Sequence, residues 1–185
     1  MNKYYKLVYP NLRSRFVERK EAVQYMVGKI ASPLDGWNSK LEMGPGGLYF
    51  CDENQLKRWL YDHVGYKEEL TVLEVEPVVF SEKEPRIVFR EEINKTYQLK
   101  AISATPLEKF MTKHLKWVEE RPEWFVYLPE KLQTQEMFMK AFERTPYHPW
   151  ESCIKNKDLA EICHVQRLDY KKEQERNGGF IYSRN

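Results

Sequence analysis

Residues 48–64 read LYFCDENQLKRWLYDHV. Leu48-Tyr49-Phe50-Cys51 is short, aromatic and apolar, a strand pattern. Asp52 with Gln55 three residues on is a capping box, so a helix starts there. Leu56, Trp59, Leu60 and Val64 recur at i, i+3, i+4 and i+8, the stripe of an amphipathic helix, with Trp59 expected in the core. Gly65 supplies the stop. A strand leading straight into one helix, with further strands on either side, is the signature of a small α+β domain.

Upstream, Tyr4–Tyr9 is aromatic and β-branched and ends in the Pro10-Asn11 turn. Residues 23–30 are a second strand candidate, interrupted at Gly28-Lys29. Residues 31–47 hold four glycines and two prolines without a period, a loop of the length that often carries function. Downstream, residues 70–75, 78–80, 86–90 and 96–102 are β-rich. Glu74 and Glu76 alternate as on a strand with one wet face.

The pattern changes at Thr105. Thr105-Pro106-Leu107-Glu108 combines an N-cap, a proline at the first helical position and a capping-box glutamate. Leu107, Phe110, Met111, Leu115 and Val118 predict one helix, ended by Arg121-Pro122. Further helices are expected from about Thr134 to before Pro146 and from about Asp158 to Lys172. Pro122–Phe142 and Pro146–His164 each run proline, aromatics, link, amphipathic helix, a hint of a repeat. The tail from Lys171 is basic and polar and is expected to be only partly ordered. The expected organisation is therefore a β-rich α+β domain over 1–103, a small curled mixed sheet with one covering helix, followed by a helical domain over 104–185.

Composition narrows the function classes. Lys and Arg number 30 against 28 Asp and Glu in 185 residues, a net charge of +2, too balanced for broad cationic attachment to nucleic acid. An aromatic content of 14% argues against disorder. No apolar run approaches the ~20 residues of a membrane span, and the first residues do not form a signal peptide. Three cysteines without a CxxC pattern suit a reduced compartment, where they fill small apolar spaces. The expected location is intracellular.

Lys6-Leu7-Val8-Tyr9-Pro10-Asn11-Leu12, Val27-Gly28-Lys29, Gly46-Gly47-Leu48-Tyr49-Phe50-Cys51 and Leu73-Glu74-Val75 stand in an order that resembles an uncharacterised domain of large DNA viruses. That domain often precedes ankyrin or other helical repeats and is similar to one found beside bacterial pentapeptide repeats. The resemblance covers roughly residues 3–103. Leu128-Pro129-Glu130-Lys131-Leu132-Gln133-Thr134 resembles the short helical repeats of the same viruses, while the ankyrin consensus is missing. The resemblance implies viral origin, with a location in the cytoplasm or nucleus of a host cell or in a virion, and transfers no activity. A compact sheet with a covering helix is also compatible with a PUA-like fold, the group that contains modified-base and RNA readers, which is an analogy of fold alone.

Catalysis needs a nucleophile or acid–base pair held by a partner. His63, His114, His148 and His164 stand in no catalytic pattern. Cys163 and His164 are neighbours on a helix and diverge by ~100°. Cys51 precedes a helix N-terminus, where a thiol can ionise, but a small core residue is the favoured account. Glu74 and Glu76 are better explained by solvation than as paired carboxylates. Gly44-Pro45-Gly46-Gly47 precedes a strand, whereas a phosphate-cradling loop opens a helix. No cofactor or metal is expected. Trp37, Tyr49, Phe50, Trp59 and Tyr61 are mingled with Lys40, Lys57 and Arg58, and bases or methylated groups are held by stacking on such rings. Trp37, Lys40, Tyr49 and Arg58 are the ligand-binding candidates. The leading expectation is a non-enzymatic module that recognises a ligand, a peptide or a nucleic-acid base. The alternatives are a structural or interaction protein, dimerising through the aromatic helical half as a virion component, and a group-transfer enzyme.

Overall fold

A computed structural model describes residues 3–14, 22–34, 36–38, 47–62, 69–79, 86–89, 91, 93–146, 148 and 150–177. The expectations placed on Lys40, Gly44–Gly46, His63, Val64, Gly65, Phe80, Tyr147 and the tail from Gly178 lie outside these residues. The described residues up to Phe110 form one compact unit and those from Met111 a second.

The first unit is α+β. Its strands are β1 (Tyr4–Val8), β2 (Ile30–Ala31), β3 (Leu48–Phe50), β4 (Thr71–Pro77), β5 (Ile87–Val88), β6 (Asn94–Thr96) and β7 (Leu99–Pro106), with α1 (Glu53–Asp62) between β3 and β4. One sheet has the order β1-β4-β7-β2 and the other β3-β6-β5. Every described strand pairing is antiparallel, so the sheets are not mixed as expected. Tyr5 joins the two: its N–H donates to the Cys51 carbonyl at 2.7 Å and its carbonyl accepts from the Cys51 N–H at 2.8 Å. That bridge carries the β3 sheet onto the free edge of β1, giving one curled half-barrel. Inside the curl lie Val8, Tyr25, Leu48, Phe50, Leu73, Val75 and Leu99. The β4–β7 register shifts between Glu74 and Val75, a bulge of the kind that increases local twist.

The capping box at α1 forms as read. The Asp52 N–H donates to Gln55 Oε1 and the Gln55 N–H to Asp52 Oδ1, both at 2.9 Å. Leu56 and Leu60 are fully buried, while Trp59 is half-buried rather than core. The expected helix start at Thr105-Pro106 is overturned. Both residues remain in β7, Thr105 opposite Val72, and the helix opens at Leu107. Sheet pairing there outweighs the local capping signal.

Five helices are described in all. The single helix expected after Leu107 is broken at His114 into α2 (Leu107–Lys113) and α3 (Leu115–Glu120). A 3-10 turn over Pro122–Tyr127 and a second over Glu130–Leu132 lead towards α4 (Gln135–Arg144), and a third over Trp150–Ser152 leads towards α5 (Lys157–Arg176). α5 therefore takes in Lys171–Arg176, part of the expected tail. Thr134 caps α4 through Met137 N–H, and Asn156 caps α5 through Leu159 N–H. Among the described residues the two halves of the suspected repeat differ: two 3-10 turns precede the capped helix in the first and one in the second. Trp117, Trp124, Phe125, Tyr127, Phe138, Phe142 and Trp150 are all buried, so these rings form the core of the second unit and not an exposed aromatic surface.

Candidate functional site

In the β3-β6-β5 sheet, Leu48, Thr96 and Ile87 share one rung, and Tyr49, Lys95 and Val88 share the next. Leu48 belongs to the core and Ile87 packs on it. Because side chains alternate along a strand, Tyr49, Lys95 and Val88 face away from the core. One alternation further brings Tyr97 and Arg86 to the same side, where the Tyr97 N–H donates to the Arg86 carbonyl at 3.0 Å.

An aromatic and cationic cluster forms there. The Arg86 guanidinium carbon lies 5.0 Å from the Tyr97 ring centre, within cation–π range. Trp37, from the loop after β2, meets Tyr97 edge-on at 6.5 Å and 82°. Arg86 adopts φ 47°, a left-handed conformation that few non-glycine residues take and that recurs at functional sites. Along the same face the Lys95 ammonium stands 5.3 Å from the Tyr49 ring centre. Lys95 is fully buried, and its stem fills the space that a side chain at Gly47 would need. The glycine admits the lysine.

Tyr49 is also held from within the curl. Its carbonyl accepts a 2.7 Å hydrogen bond from the Lys6 ammonium, which also lies 5.5 Å from the Tyr25 ring centre. Burial lowers the Lys6 pKa to about 8, against a smaller raising effect of Cys51. Burial pushes the Tyr25 hydroxyl up, partly offset by its hydrogen bond with Ser14.

The structure therefore unites Trp37 with Tyr97 and places Tyr49 on the same sheet face. Arg58 sits exposed on α1, outside this rung pattern. Tyr97, Arg86 and Lys95 were missed by sequence reading, although Lys95-Thr96-Tyr97 already shows the alternation that sends Lys95 and Tyr97 to one side. Burial raises the Cys51 thiol pKa strongly, ahead of the opposing effect of Lys6, and its Sγ donates to the Tyr5 carbonyl at 3.3 Å. It is a core residue and not a thiolate. Glu74 is ion-paired with Lys3 at 3.3 Å and Glu76 is exposed, in keeping with the solvated reading.

Among the described residues no group of three or more His, Cys, Asp or Glu could hold a metal, and no helix is long and apolar enough to cross a membrane. Fold and face together define a small α+β protein carrying an aromatic–basic sheet face. No family model, curated protein or solved structure matches the chain.

Proposed function

We propose that this is a non-enzymatic binding module of a large DNA virus, which takes a nucleobase of single-stranded nucleic acid on the face of Trp37. The carrying observation is the half-buried Trp37 braced edge-on by Tyr97, with Arg86 over the tyrosine. A braced indole loses little freedom when a planar ligand stacks on it, and the neighbouring guanidinium suits a phosphate or a second base. A balanced net charge of +2 fits recognition of one or two nucleotides better than coating of a long polyanion.

The test is anisotropy of labelled ten-nucleotide single-stranded RNA and DNA at low salt. Trp37→Ala is expected to weaken binding about 10- to 100-fold, the range for losing one base stack, and Trp37→Phe to retain part of it. Wild-type protein that binds neither strand, or binds equally well as Trp37→Ala, overturns the reading. A second reading, an interaction protein, is favoured by the exposed Ile162, Val165 and Leu168 on α5.

A further inference from the structure

The connection between α4 and α5 brings a thiol and an imidazole together. Cys153 Sγ lies 3.9 Å from His148 Nε2 and 3.4 Å from Ser152 Oγ. Cys163 and His164, adjacent in sequence and expected to diverge on their helix, do so: Cys163 is buried and His164 exposed. Cys51 and Cys163 are 0% and 1% exposed, whereas Cys153 is partly accessible.

Trp150 holds both members of the pair. The His148 ring centre is 4.3 Å from that of the indole, and the Cys153 N–H donates to the Trp150 carbonyl at 2.9 Å. The indole is itself fixed: it is 2% exposed, packs on Phe125 at 5.8 Å and donates from Nε1 to the Thr145 carbonyl at 3.1 Å. Main-chain bonds from His148 N–H to Thr145 O and from Trp150 N–H to His148 O complete the turn. Of the charged residues near this turn in sequence, Arg144 pairs with Glu123 at 3.8 Å and Lys155 Nζ lies 3.5 Å from the Leu128 carbonyl. A thiol beside an imidazole on a rigid support is the arrangement that produces a nucleophilic thiolate near neutral pH.

We propose that Cys153 is a reactive thiol activated by His148, and that it undergoes exchange with low-molecular-weight disulfides. The Sγ proton passes to neutral His148 at Nε2. The thiolate attacks one sulfur of the disulfide, a new S–S bond forms to Cys153 as the old one breaks, and the second sulfur leaves as a thiolate that takes up a proton. Cys153 is oxidised to a mixed disulfide and one small thiol is released. A second thiol reverses the step, which makes the site a reversible modification point on the second unit.

The full chain is treated with 5,5′-dithiobis(2-nitrobenzoate) from pH 5 to 9. One thiol per folded chain is expected to react, with a rate inflection below about pH 7, where an ordinary cysteine inflects near about 8.5. His148→Gln should move the inflection upward and slow the reaction at pH 6.5 about tenfold. Cys153→Ser should remove the reacting thiol, and glutathione disulfide should add one glutathione to wild type only. A wild-type inflection at or above about 8.5, or a fast thiol that persists in Cys153→Ser, overturns the proposal. Because the wild-type profile decides by itself, a misfolded His148→Gln does not blunt the test.

Discussion

Lys6 is a buried cation. Its ammonium has one carbonyl acceptor and an aromatic face, in a curl lined by apolar side chains. The folded state holds the amine at a pKa of about 8 because burial disfavours its charge, while the unfolded chain keeps that proton to about 10.4. Above pH 8 the unfolded state therefore binds more protons, and stability rises with pH; below pH 8 the full desolvation cost is present. Cys51 acts in the opposite sense at higher pH, since its thiol stays protonated in the fold. A rise of about 1 kcal/mol between pH 7 and 9 is expected from urea midpoints. Lys6→Met, which keeps the stem, should abolish that rise and stabilise the protein at pH 7 by about 1–2 kcal/mol after the lost hydrogen bond is counted. A wild-type midpoint that does not move between the two pH values would refute the assignment.

At the scale of elements, side-chain amides do the joining. Gln55 closes the α1 capping box and also accepts from the buried Asn94 at 2.8 Å, so the same side chain ties the helix to β6. Gln133 plays the corresponding part in the second unit. Its Nε2 donates to the Val126 and Leu128 carbonyls at 3.2 Å, and its Oε1 accepts from the Lys155 and Asn156 amides at 2.9 and 3.4 Å. One buried amide thus joins the first 3-10 turn, the entry to α4 and the entry to α5. Gln133→Leu leaves buried main-chain groups short of partners and is expected to cost about 2–4 kcal/mol. Thr134→Ala removes only an exposed cap, for about 1 kcal/mol. Equal costs in urea unfolding would show that the amide is not the joint. This linkage supplies a packing reason for the glutamine at position 133.

For the whole molecule, charge balance governs how binding responds to salt. With a net charge of +2 and Arg86 as the partly accessible cation of the aromatic cluster, the proposed binding mode would neutralise few phosphates. The slope of log K against log salt for single-stranded oligonucleotides is expected to be about −1 to −2. A slope steeper than about −4 would mean a long electrostatic track, and would move the ligand away from the Trp37 face. In that event the Trp37→Ala comparison should also show little loss.

Local chemistry was legible in the chain. The α1 capping box, the start of α4 near Thr134 and the strand at Leu48–Phe50 rest on contacts between residues a few positions apart, so spacing and residue type are enough to find them. The α+β class followed from the same patterns, and so did Trp37 as a loop aromatic needing an explanation. Long-range contacts decided the rest. Thr105 and Pro106 carry a helix-start signal, yet pairing with β4 keeps them in a strand. Tyr97 became the partner of Trp37, and Arg86 of Tyr97, only when β5 and β6 came into register. Cys153 met His148 because Trp150 is buried on Phe125 and folds the turn back on itself. Caps and periodicities are written within one turn of chain, whereas register, sheet curl and the meeting of distant side chains are chosen by burial of the assembled core.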